Sequence, residues 1–67
     1  MASITRRFGI KVRKLRRRKE MSQLDLAQKS RLDLETINEI ENGQREAKLR
    51  TVWKIANALK VSLKDLF

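Results

Sequence analysis

Two glycines and no proline punctuate 67 residues. That scarcity constrains the fold more than any other feature. Folds of strands and tight turns draw on Gly, Pro, Asn, Asp or Ser at each reversal, because those residues reach or pre-set the backbone angles a turn needs. A chain with two glycines and no proline reads as helical, and one this short as a single domain, here residues 1–67. Such a domain buries only about 60% of its unfolded surface and is marginal in stability. No cysteine is present to staple it or to supply a thiolate site, and no histidine to serve as metal ligand or neutral-pH base. The carboxylates accompany no nucleophile or metal-ligand pattern. An enzyme, a metal site, a cofactor and a small-molecule substrate are therefore not expected. No apolar run approaches the roughly 20 residues that span a bilayer. The N-terminus lacks the pattern of a secretory signal. The chain reads as a soluble all-α domain, cytoplasmic and nucleoid-associated, with no membrane partner.

Charge points to the partner. Seventeen Lys and Arg against eight Asp and Glu give a net +9, which suits a polyanion. The distribution is uneven. Residues 1–19 hold nine basic side chains and no acid, while residues 33–46 hold Asp33, Glu35, Glu39, Glu41 and Glu46 against Arg45.

Apolar spacing divides the chain into five helical segments. Ile4, Phe8, Val12 and Leu15 share one helix face, predicting helix 1 over about 5–19 behind a basic arm at 1–7. Ser22 is an N-cap candidate and Asp25 places a carboxylate in the first turn, so helix 2 runs over about 23–29. Asp33 before and Gly43 after bracket helix 3 at about 34–42, with Leu34, Ile37 and Ile40 as its apolar positions. Leu49, Val52, Ile55, Ala56 and Leu59 predict helix 4 over about 49–59. Ser62 caps a last short turn. Helices 2 and 3 are short and separated by about four residues. Two such helices bury little surface antiparallel, but crossing steeply within one core they form a helix-turn-helix.

The residues at these positions carry a family resemblance. They are Val12, Leu15 and Arg16, then Ser22-Gln23, Leu26-Ala27, Ile37, Ile40-Glu41-Asn42-Gly43 and Leu49, and the closing run from Lys54 to Phe67. The stretch from Phe8 to Phe67 resembles the lambda-repressor/Cro-like (XRE) helix-turn-helix domain. Within that family it looks most like short stand-alone regulators such as restriction–modification controller proteins. The resemblance implies a five-helix DNA-binding domain whose helix 3 enters the major groove. Three features depart from the family pattern. Arg31 stands where the turn between helices 2 and 3 usually has Gly. Glu46-Ala47 replaces a usual Asn-Pro. Helix 3 is acidic.

The same resemblance implies roles for particular residues. Gln23 would touch a DNA phosphate, beside the free N–H groups of its helix end. Arg16 and Glu41 would form a partly buried ion pair. Bases would be read from the positions of Asp33, Leu34, Glu35 and Glu39. Leu34 suits a thymine methyl and the carboxylates suit cytosine N4, although phosphates repel them. Asn38 and Thr36 are the better polar readers, the first toward adenine and the second toward phosphate. Gln44, Arg45 and Lys48 in the following loop would grip the backbone, and Arg13 and Arg17 of helix 1 would neutralise phosphates. Each of these polar residues also has a plainer reading as solvated surface.

Trp53, Val61, Leu63, Leu66 and Phe67 add apolar surface that so short a chain can hardly bury alone, the alternative being that Trp53 simply folds over the core. A two-fold dimer through helices 4 and 5 would cover it and set two recognition helices about one DNA turn apart. The expected function is a dimeric transcriptional regulator that reads a short inverted repeat in double-stranded DNA. The alternative is a protein-interaction module that docks its acidic helix 3 on a basic partner. A membrane-surface role for helix 1 conflicts with the need for its apolar stripe in the core.

Overall fold

The computed structural model describes residues 3–67, with helices α1 (Ile4–Arg18), α2 (Gln23–Ser30), α3 (Leu34–Glu41) and α4 (Leu49–Leu59), then a 3₁₀ turn, η1 (Leu63–Leu66). The expected fifth helix is therefore a single 3₁₀ turn. Met1 and Ala2 of the expected basic arm lie outside the described residues. From Ile4 onward that segment is the first turn of α1, with Ser3 as N-cap accepting from the Arg6 amide.

Each boundary has a local cause. The Ser22 Oγ accepts from the Asp25 amide at 3.0 Å while the Asp25 carboxylate accepts from the Ser22 amide at 2.9 Å, a reciprocal box that starts α2. Asp33 Oδ1 accepts from the Thr36 amide at 2.8 Å and starts α3. Asp65 accepts from both the amide and the hydroxyl of Ser62 ahead of η1. Helix α2 ends on Arg31 at φ 59° and α4 on Lys60 at φ 58°, both left-handed. Gly43, at φ 72°, takes the same conformation after α3, where glycine adopts it at no steric cost.

The core is made by Phe8, Val12, Met21, Leu26, Ala27, Ile37, Ile40, Val52, Ile55, Ala56, Leu59 and Leu66. Helix α3 is held between α1 and α2, and η1 closes the far side against α1 and α4. Gly9 is where α1 and α3 meet. A methyl there would collide with the Ile40 carbonyl and sit 3.0 Å from that of Glu41. Two expectations are corrected. Ile4 is 67% exposed, because the first turn of α1 overhangs the core. Leu66 is 1% exposed and belongs to the core, so it is not available to a dimer interface. The three-residue period of a 3₁₀ turn, tighter than the α period, directs Leu66 inward under α1 and α4.

Candidate nucleic-acid interface

The pattern of α3 separates its two faces. Ile37, Ile40 and Glu41 are buried, whereas Leu34, Glu35 and Asn38 are exposed and Glu39 is half-buried. The four expected base-reading residues therefore lie on the side of α3 turned away from the core. Thr36 is half-buried and its amide is engaged by Asp33, which places it at the edge of this row.

Behind the row lies a hydrogen-bonded chain that begins in the core. Arg16 Nε donates to Glu41 Oε2 at 2.6 Å and Nη2 to Oε1 at 3.0 Å, with the two side chains 9% and 0% exposed. Its remaining terminal nitrogen donates to the Met21 carbonyl at 2.8 Å. The hydrogen bond to Glu41 raises the Arg16 pKa above its ordinary value, outweighing the opposing effect of burial, so the guanidinium stays charged. Gln23 Nε2 then donates to Glu41 Oε1 at 3.0 Å, and Asn38 Nδ2 donates to Gln23 Oε1 at 3.3 Å. Asn42 Nδ2 donates to Asn38 Oδ1 at 3.2 Å. The buried ion pair is thus connected through the first residue of α2 to the exposed face of α3. No buried side-chain nitrogen or oxygen among the described residues lacks a partner.

The acidity of α3 is partly cancelled within the molecule. Arg45 Nη2 lies 2.6 Å from Glu39 Oε1 and its Nε donates to the same oxygen at 2.7 Å. Hydrogen bonding from Thr36 lowers the pKa of Asp33, with help from Arg45. Glu35 remains exposed. Gln44 and Lys48 are exposed on the same α3–α4 loop as Arg45.

The basic cluster of α1 divides into two stripes. Gly9 and Arg16 face α3. Arg6, Arg13 and Arg17, spaced i, i+7 and i+11, flank that line at about 100° per residue. A methyl on Gly43 would lie 3.3 Å from the Arg6 Cα, which fixes this stripe beside the end of α3. Arg7, Lys11, Lys14 and Arg18 flank the opposite edge of the buried stripe. Lys11, Lys14 and Arg18 border Val61 and Asp65 there.

The residues expected at a dimer interface are likewise divided. Trp53 (59% exposed) and Leu63 line one shallow depression with Leu49, Arg50 and Lys54. Val61 sits beside Leu15 and Lys14. Phe67 stacks on Phe8 with ring centroids 5.4 Å apart. The sequence reading does not anticipate the exposure of Leu49 or the bond from Asn42 to Asn38. Leu49 was assigned to the core stripe of α4 yet is 77% exposed. Asn42 follows Asn38 by four residues, a spacing that stacks them on one helix face.

Among the described residues no group of His, Cys, Asp or Glu could hold a metal ion, and no helix is long and apolar enough to cross a membrane.

Residues 12–66 match the helix-turn-helix family model. The control protein C.MunI of a Mycoplasma species is 40% identical over 68 residues, spanning 100% of this chain and 92% of its own length. Among solved structures, the restriction-modification controller protein C.AhdI of Aeromonas hydrophila superposes with a TM-score of 0.92 at 38% identity, over 94% of this chain and 96% of that one. C.Esp1396I bound to a 25 base pair operator site superposes with a TM-score of 0.85 at 32% identity, over 92% of this chain and 82% of that one.

Proposed function

The chain belongs to the lambda-repressor-like (XRE) helix-turn-helix family, and from that membership we propose that it binds double-stranded DNA as a homodimer on a short inverted repeat. It is a transcriptional regulator, not an enzyme. The observation that carries the proposal is the exposed row of α3, with Asn38 tied through Gln23 to the buried Arg16–Glu41 pair. Leu34, Glu35, Asn38 and Glu39 read base edges from this row. Arg45 neutralises Glu39 in the free protein and moves to a phosphate on binding, which releases the carboxylate to accept from cytosine N4. Gln23, Thr36, Gln44 and Lys48 add backbone contacts, and Arg13 and Arg17 do so from the α1 stripe next to α3.

The dimer forms through the Leu49–Trp53–Leu63 patch. One protomer measures 30 × 23 × 21 Å. Two such bodies side by side have dimensions of the same order as the ~34 Å of one DNA turn.

Selection from a random duplex pool at physiological salt tests this. Enrichment of a palindrome whose half-sites lie about one turn apart is the expected result. A pool that stays random through successive rounds overturns sequence-specific reading.

A further inference from the structure

The α1 stripe of Arg7, Lys11 and Lys14 does not share a side of the helix with Arg6, Arg13 and Arg17. The end of α3 lies next to the second stripe, where Gly43 meets Arg6. The first stripe therefore carries surplus positive charge that the proposed DNA contacts do not use.

Beside that surplus lies an apolar cleft. Its floor is Phe8 and Leu66, which are buried. Its walls are Ile4, Ile10 and Phe67, which are 67%, 48% and 58% exposed. Arg7, Lys11 and Lys14 form the rim. Two carboxylates lie near this side: Glu46, which adjoins Ile4 and Phe67, and Asp65. Asp65 is engaged by Ser62 and partly offsets Lys11, and against these two acids the rim's three cations leave a positive balance. The cleft shares no residue with the Leu49–Trp53–Leu63 depression, so a dimer centred on Trp53 leaves it open.

We infer that this cleft is a docking groove for an acidic amphipathic helix of a partner protein. The chemistry is complementary in two respects. Exposed isoleucine and phenylalanine walls take the apolar positions of a helix at i, i+3, i+4 and i+7. The cations at positions 7, 11 and 14 run along about 10 Å of helix axis, two turns, and match carboxylates spaced at i, i+4 and i+7 on the incoming helix. Opposed charge rows of this kind steer encounter and fix register. The cleft's cations and the DNA-facing arginines form separate rows of α1, centred about 100° apart around the helix.

The test uses the full chain and a fluorescein-labelled synthetic helix of about 18 residues, with Leu and Phe on one face and Glu on its flanks. A control peptide has Lys at every Glu position. The acidic helix is expected to bind and the control not to. Lys11→Gln with Lys14→Gln should weaken the acidic helix about tenfold, with the difference shrinking in high salt. Ile10→Asp should weaken it similarly. That side chain is half exposed, so the fold, followed by helical circular dichroism, is retained. On random duplex DNA, Arg13→Gln with Arg17→Gln should lower the slope of log affinity against log salt by about 0.9 per lost phosphate contact. Lys11→Gln with Lys14→Gln should leave that slope unchanged.

Equal binding of the acidic and control helices overturns the proposal, as does an equal loss of slope in the two double variants. Two further results overturn it by naming another occupant. Binding of phosphatidylglycerol vesicles without binding of the acidic helix assigns the groove to lipid. Loss of self-association in Ile10→Asp assigns it to a second copy of the chain.

Discussion

At the residue scale, Arg16 and Glu41 are the buried charges of the described chain, and each satisfies the other. Breaking such a pair from one side strands the remaining charge in a poorly solvated site. Glu41→Gln is therefore expected to destabilise the protein by about 3 kcal/mol or more, measured by urea unfolding. Replacing both partners by Met and Leu should cost much less than the sum of the single changes. The pair was legible in the sequence only through the family pattern, because nothing local joins positions 16 and 41. The left-handed turn at Arg31 was legible through the same pattern, in which glycine is usual at that position. Its φ of 59° is available to Arg only at a penalty. Arg31→Gly should raise stability by about 1 kcal/mol, part of the relief being offset by the entropy glycine adds to the unfolded chain. A shift of the urea midpoint to higher concentration, with unchanged slope, checks this.

At the scale of the element, the helix boundaries were readable to within a residue or so. Ser22, Asp33, Gly43 and Ser62 act within one turn of themselves, and short-range rules suffice for them. The three aspartates at the helix starts also make a prediction about pH. Hydrogen bonds, led by those from Ser22, Thr36 and Ser62, hold the pKa values of Asp25, Asp33 and Asp65 below the ordinary carboxylate value. A carboxylate whose pKa is lower folded than unfolded contributes stability that is present above its unfolded value, about 3.9, and is lost as pH falls through its folded value. Urea midpoints should be flat through the neutral range and fall below about pH 4. Asp33→Asn keeps an N-cap and should remove part of that acid dependence. Beyond the Arg16–Glu41 pair, the closeness of α1 to α3 was not legible, since Gly9 gave no sign of which backbone it approaches. Gly9→Ala must push α1 away from the Ile40 carbonyl. A loss of about 1–3 kcal/mol is expected, seen as a melting temperature lower by roughly 4–8 °C for each kcal/mol.

For the whole molecule, the sequence identified the surplus of apolar residues near the C-terminus but not its division. Trp53 and Val61 fall in separate depressions, while Leu66 and Phe67 meet at the Phe8 end of the core, one buried and one exposed. The split arises because η1 turns with a period of three and because Phe67 folds back on α1. Neither is encoded in helical spacing. It also narrows the interface to test. Trp53→Asp should give a monomer in sedimentation at micromolar concentration and reduce affinity for an inverted repeat by about tenfold or more. Phe67→Asp should leave self-association intact.

The architecture has a consequence in time. Four short helices without a proline contain no peptide bond whose slow isomerisation holds back refolding. Small helical domains assemble in microseconds to milliseconds. A newly made copy is therefore ready to act almost as soon as it leaves the ribosome. If the chain acts as the proposed dimer, the delay before it takes hold is set by how quickly copies accumulate enough to pair and by how fast cell growth dilutes them. Its own folding adds nothing measurable to that delay.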